Sequence, residues 1–235
     1  MKQSIQKHKI KAISFDLDDT LYLNAGVIAQ AEAALLTWLA QYVDAQALAA
    51  VDWVSMTTQA QQQEPTLVHD VSQCREYTIA LVLEALGLPA ASVRTVSQDA
   101  MRYFVVARSQ VEIAPEVIQI LTDLRVSFPL AVITNGNLDL KVAGIDGLFE
   151  TVYKADLAHP KKPAIQMFDC VCQDLRIAPE ALLHVGDNWN TDVLGAYAAG
   201  CQVAWLSALP LPDDQAPYVW QIPTLSALTT LLCPT

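Results

Sequence analysis

The sequence predicts a doubly wound α/β fold, a Rossmann-like parallel sheet with an α-helical domain inserted into it. Two patterns carry that expectation. Short apolar runs alternate with helix-period segments along most of the chain, as they do in strand–helix–strand units. Between the first run and the second lies a connection far longer than a crossover helix needs.

The runs predict buried strands at 11–17, 130–134, 152–155, 182–186 and 203–206. Val117, Ile120, Leu121 and Leu124 repeat at helical spacing, with Pro115 in the first turn, where a missing N–H costs little. Helices are expected at 164–175 and at 192–199, the second closed by Gly200. The long connection carries its own stripes: Val27, Ala31, Ala34, Leu35, Trp38, Leu39 and Tyr42, then Ile79, Val82, Leu83 and Leu86. Asp70 with Gln73 three residues on predicts a capping box opening the second stripe. Residues 1–21 and 109–235 are therefore assigned to the core, and 22–108 to a helical domain over one end of the sheet. The polar patch 59–64 reads as loop or helix end. The tail at 210–217 reads as an exposed loop, 218–222 as an edge strand and 225–232 as a final helix.

Composition narrows the function. An apolar fraction of 53% with 17% charged residues describes a packed globular chain. A net charge of −11 argues against nucleic acid or an anionic membrane as partner, and makes a bound cation useful to any small anionic substrate. The basic N-terminus lacks the apolar stretch of a signal peptide, and 27–51 is broken by polar residues, so no membrane span is expected. Five cysteines without a C-x-x-C pair read as reduced thiols of a cytoplasmic protein.

The polar residues fall where open α/β sheets bind ligands. Asp16 and Asp18 follow the first strand, Thr134-Asn135-Gly136-Asn137 ends the second, and Gly186-Asp187 ends the fourth. Lys162 stands in the loop before the helix that leads into the fourth. Carboxylates gathered this closely raise one another's pKa unless cations compensate, and Mg²⁺ suits a site with few carboxylates plus phosphate. One carboxylate can attack phosphorus, and a second can protonate the leaving oxygen. Thr134 and the amides at Asn135 can hold phosphoryl oxygens, with Lys162 neutralising their charge.

These residues resemble the haloacid dehalogenase superfamily, most of whose members are phosphatases. The four motifs are Asp16-Leu17-Asp18-Asp19-Thr20, Thr134, Lys162 and Gly186-Asp187-Asn188-Trp189-Asn190-Thr191-Asp192. The resemblance implies Asp16 as nucleophile and Asp18 as general acid/base. It further implies a Mg²⁺ ion on Asp16, the Asp18 carbonyl and Asp187, and a helical cap closing over a small phosphorylated metabolite. Stretches at 15–24, 64–71, 131–137 and 183–192 are similar to a bacterial branch acting on FMN and 5-amino-6-(5-phosphoribitylamino)uracil.

Other readings stand beside these. Asp192 either supports the metal or lysine or merely caps a helix. His69 and Arg75 either touch substrate or are ordinary surface groups, and Trp189 either borders the entrance or packs. His184 reads as a satisfied core residue, Asp19 as a turn helper, and Arg94, Arg102 and Arg108 as a solvated helix face. Dehalogenation needs no acid at Asp18, and phosphonate cleavage needs a cap lysine, of which there is none between Lys11 and Lys141. A sugar phosphomutase and a non-catalytic phosphometabolite-binding module remain as alternatives.

Overall fold

Strands form in the apolar runs, and the three central ones are buried on both faces, the polar side chains inside β1 and β4, Ser14 and His184, bonding each other. The computed structural model describes residues 6–211 and 219–232. Its strands are β1 (Ala12–Phe15), β2 (Leu130–Thr134), β3 (Thr151–Lys154), β4 (Leu182–Gly186), β5 (Gln202–Leu206) and β6 (Val219–Ile222). They make one parallel sheet in the order β3-β2-β1-β4-β5-β6. The order reverses between β1 and β4, which opens a crevice at their carboxyl ends.

Alternation along the strands divides the core into two layers. Ile13, Phe15, Leu130, Val132, Leu183 and Val185 pack on one face with α6 (Pro115–Arg125) and α9 (Ser226–Leu232). Ala12, Ala131, Ile133 and Leu182 pack on the other with Phe168 of α7 (Gln166–Asp174) and Ala196 of α8 (Leu194–Ala198).

Between β1 and α6 stand five further helices: α1 (Val27–Leu39), α2 (Ala45–Ala49), α3 (Trp53–Gln63), α4 (Val71–Ala85) and α5 (Ala90–Ser109). They bury their own core, in which Leu35, Leu39, Ile79, Leu83 and Phe104 meet. Both expected stripes lie there, on α1 and α4. Asp70 caps α4 by accepting from Ser72 and Gln73 N–H at 2.9 and 2.8 Å. The Gln73 amide bonds the Asp70 carboxylate at 2.9 Å, so the pair is a cap without the return bond of a full box.

Two sequence expectations change. β3 is an edge strand with half-exposed residues, not a buried one, because no strand among the described residues pairs beyond it. The helix expected at 192–199 starts earlier, with one π-turn over Trp189–Val193 ahead of α8. Asn188 drives this, its side chain accepting from Asn190 and Thr191 N–H at 3.0 and 3.1 Å. Of the two readings of the patch at 59–64, the helix end holds: it is the C-terminal half of α3 with its cap. Most of the expected loop at 210–217, and Tyr218 of the expected edge strand, lie outside the described residues. Among those described, no helix is long and apolar enough to cross a membrane.

Candidate active site

The site is built on the ends of β1, β2 and β4. β1 stops at Phe15 and delivers Asp16 into the crevice, 8% exposed. β4 ends on Gly186, where an added Cβ would lie 2.4 Å from Cγ of Asp192. Only glycine lets the π-turn fold Asp192 back beneath the strand end.

Lys162 joins these carboxylates. Its Nζ donates to Asp16 Oδ1 at 2.8 Å, to Asp192 Oδ1 at 2.6 Å and to the Ile133 carbonyl at 2.7 Å. An ammonium has three N–H groups, so none is left over. Asn135 fixes the lysine's backbone from both sides, accepting from Lys162 N–H at 2.7 Å and donating to its carbonyl at 3.0 Å. The Asn135 side chain is thus committed to holding Lys162, which leaves the backbone amide expected against substrate untouched by this pairing. Thr134 is buried and accepts from Gly136 N–H at 3.1 Å.

The electrostatics follow from burial. Burial pushes the Asp16 carboxyl up to about 7, with Lys162 opposing and Asp192 adding to the rise. Burial would also raise Asp192, but Lys162 and His184 outweigh it and hold that carboxylate well below the usual range. For Lys162 burial would lower the pKa, and the two aspartates raise it overall. Burial and nearby Asp192 raise Asp187. His184 is kept neutral mainly by burial, and its ring lies 2.9 Å from Ser14 Oγ and 3.4 Å from Asp192 Oδ1. It is the satisfied core residue expected.

The alternatives for Asp192 now separate. Asn188 caps the turn, whereas Asp192 is fully buried and uses both oxygens, one on Lys162 and one on Asn188 N–H at 3.0 Å. It supports the lysine. Carboxylate oxygens of Asp16, Asp187 and Asp192 all lie within 4.8 Å of one another. Three carboxylates against one ammonium leave two negative charges, and the donors are all oxygen. Such a set fits a hard dication such as Mg²⁺.

Asp18 sits at the crevice edge, its side chain 26% exposed. Tyr22 Oη–H and Arg108 Nη2, the latter at 2.8 Å, both donate to its Oδ1. The reading of Arg108 as a solvated residue is therefore corrected: its side chain is 1% exposed. The signal for this was its phase, since it continues the buried stripe of Val93, Ser97, Ala100 and Phe104 on α5. Asp19 does assist a turn, adopting a positive φ of 56° and accepting from Asn24 N–H at 2.9 Å. Trp189 packs edge-on against Trp205 with ring centroids 4.9 Å apart.

His69 ends the turn before α4 and is half-buried, with an unpartnered, buried Nδ1. Beside it, α1, α3 and α4 enclose a cavity of about 590 Å³ that opens on Lys161 of the core. Leu35, Trp53, Leu67 and Val71 give it an apolar wall, and Thr57, Thr58, Gln61 and Arg75 a polar one. Arg75 is held there by Glu32 at 3.0 Å and by the Phe104 ring, 4.0 Å from its guanidinium carbon. His69 does not line the cavity.

A carboxylate–lysine cluster at the switch point of a parallel sheet, with a helical insertion after the first strand, defines a hydrolase class. Residues 10–200 match the haloacid dehalogenase-like hydrolases, and the chain belongs to that family. It is 33% identical to the Escherichia coli (strain K12) 5-amino-6-(5-phospho-D-ribitylamino)uracil phosphatase YigB, over 84% of each chain. A crystal structure of a 2-haloacid dehalogenase from Pseudomonas syringae pv. Tomato DC3000 superposes with a TM-score of 0.88 at 31% identity, over 95% of this chain and 98% of that one. A magnesium-bound HAD-hydrolase, YfnB from Bacillus subtilis, shares the fold at a TM-score of 0.62 and 18% identity, over 95% of this chain and 99% of that one.

Proposed function

We propose that this chain is a Mg²⁺-dependent phosphomonoester hydrolase working through an aspartyl-phosphate on Asp16. The observation that carries the reading is Lys162 bridging Asp16 and Asp192 with every N–H engaged. That arrangement fixes Asp16 in place while leaving a net negative charge for a dication to offset. Asp16, the carbonyl of Asp18 and Asp187 would hold the ion, which when bound supplies charge neutralisation at the transferring phosphoryl group. Asp16 attacks phosphorus, and Asp18 protonates the leaving oxygen. Asp18 then removes a proton from the water that splits the acyl phosphate. Thr134 and the backbone amides after it face the phosphoryl oxygens. An acid at Asp18 favours this over dehalogenation, which has no leaving oxygen to protonate.

The substrate we propose is a small phosphorylated metabolite with a sizeable uncharged ring system, such as FMN or 5-amino-6-(5-phosphoribitylamino)uracil. Two things support it: the relationship to YigB, and a ligand-sized cavity of mixed lining whose one core residue, Lys161, adjoins Lys162. The unbridged cysteines among the described residues suit the reducing cytoplasm.

Asp16→Asn tests the chemistry. Its turnover should fall by about 10⁴-fold or more with the fold retained, as for removal of a covalent nucleophile. Undiminished hydrolysis by the variant sinks the mechanism. A panel of phosphorylated metabolites tests the substrate. Faster turnover of many unrelated sugar phosphates than of FMN and the ribityl compound would overturn the proposed selectivity.

A further inference from the structure

Asp18 is held asymmetrically. Its Oδ1 accepts from both Tyr22 Oη–H and Arg108 Nη2, whereas its Oδ2 has no hydrogen-bond partner among the described residues. Oδ2 instead lies against Gly136, where an added Cβ would come within 2.5 Å of it. The clamp is unusual in its cost. Arg108 is almost wholly buried, and its Nε and Nη1 have no hydrogen-bond partner among the described residues. Burying a guanidinium carries a desolvation cost that its pairing with Asp18 has to offset.

We infer that Arg108 and Tyr22 are positioning residues that occupy Oδ1 of Asp18 and so dedicate Oδ2 to proton transfer. The inference rests on the phosphatase reading above. With both donors on Oδ1, a proton on Asp18 resides on Oδ2, the oxygen next to the open end of β2. In the first step the Asp16 oxygen–phosphorus bond forms, the bond from phosphorus to the ester oxygen breaks, and the Oδ2 proton passes to that oxygen, releasing an alcohol. In the second, water attacks phosphorus, its proton goes to Oδ2, and the Asp16 oxygen–phosphorus bond breaks to release phosphate. Atoms balance, and Asp18 returns to its starting state.

The clamp also links the two domains. Arg108 belongs to the last turn of α5, and the next residue, Ser109, accepts from Asp139 N–H of the core at 2.8 Å. The insertion therefore positions the acid as well as covering it.

Leaving-group dependence separates positioning from bulk structure. Arg108→Met and Tyr22→Phe should be measured in single turnover with p-nitrophenyl phosphate, whose leaving group needs no proton. The same variants should be measured with whichever alkyl phosphate the wild type turns over fastest. For the alkyl ester, Arg108→Met should slow the first turnover about 10- to 100-fold with little change in KM, within the range general acid catalysis supplies. Release of p-nitrophenolate should stay within about threefold of wild type. Tyr22→Phe should give the same pattern more weakly, and Arg108→Lys should recover part of the loss. Equal losses on both esters, or a change confined to KM, overturn the inference. If Arg108→Met fails to fold, Tyr22→Phe and Arg108→Lys decide by the same criterion. A wild type that hydrolyses neither ester fails the phosphatase reading instead.

Discussion

The ends of the central strands and the helical insertion solve different problems by different means. At the strand ends the polar groups bind one another: Lys162 uses all its N–H groups, Asp192 uses both oxygens, and Asn135 grips the lysine backbone twice. Inside the insertion, helices enclose a cavity whose lining makes few bonds beyond α-helical back-bonding and the Arg75–Glu32 pair. The contrast teaches where each kind of information lies. Chemistry here is over-determined, so changing one group disturbs several others. On the proposed reading selectivity rests on the shape of this cavity, so changing one lining group should alter one contact.

Asp192→Asn should break that contrast most severely. It leaves buried Lys162 with Asp16 as its one counter-charge, and removing a partner from a buried pair costs about 3 kcal/mol or more. The sign with pH follows from the depressed pKa of Asp192. Its stabilisation is present above the ordinary aspartate value of 3.8 and is lost as pH falls toward the folded value. Denaturant unfolding should therefore show a wide gap between wild type and variant at pH 7 that narrows below about pH 4. A gap independent of pH would mean that Asp192 does not act through its charge.

A cavity variant should have a smaller, more selective effect. Thr58 lines the cavity from an exposed position on α3, so Thr58→Trp should leave stability within about 0.5 kcal/mol. The bulk it adds should raise KM for FMN about tenfold while p-nitrophenyl phosphate changes less than about twofold. Equal effects on both substrates would remove the cavity from the substrate path.

The same contrast explains what the sequence disclosed. Asp16, Lys162 and Asp187 were legible because each ends a strand or precedes a helix, and short motifs mark those places. The sheet was legible through its apolar runs, with β3 misjudged because an edge strand and a buried one look alike over four residues. Arg108 was misread although its phase on α5 marks it as buried, since an arginine next to the last residue of a helix resembles a solvated C-terminal cation. Its partner Asp18 is 90 residues away, a separation no local pattern reports. The cavity was hidden for a related reason. α3 has the weak apolar character of a surface helix, and its role appears only once α1 and α4 stand beside it.

The contact between the two regions offers the finest test. Asn137, just past the end of β2, donates from Nδ2 to Ser72 Oγ in the first turn of α4 at 3.0 Å. Both residues are half-buried, so water could replace the bond if the insertion opens away from the sheet to admit substrate. A neutral hydrogen bond of this kind contributes about 0.5–1.5 kcal/mol. Acting on an open–closed equilibrium, a loss that size shifts the populations about two- to tenfold. Ser72→Ala should therefore raise KM about two- to fivefold with kcat and melting temperature nearly unchanged, because the bond belongs to the closed arrangement and to neither domain's core. A lowered melting temperature with unchanged KM would place the bond among the contacts that hold the fold. In that case the insertion and the sheet would behave as one body, and the division between chemistry and selectivity would lose its mechanical basis.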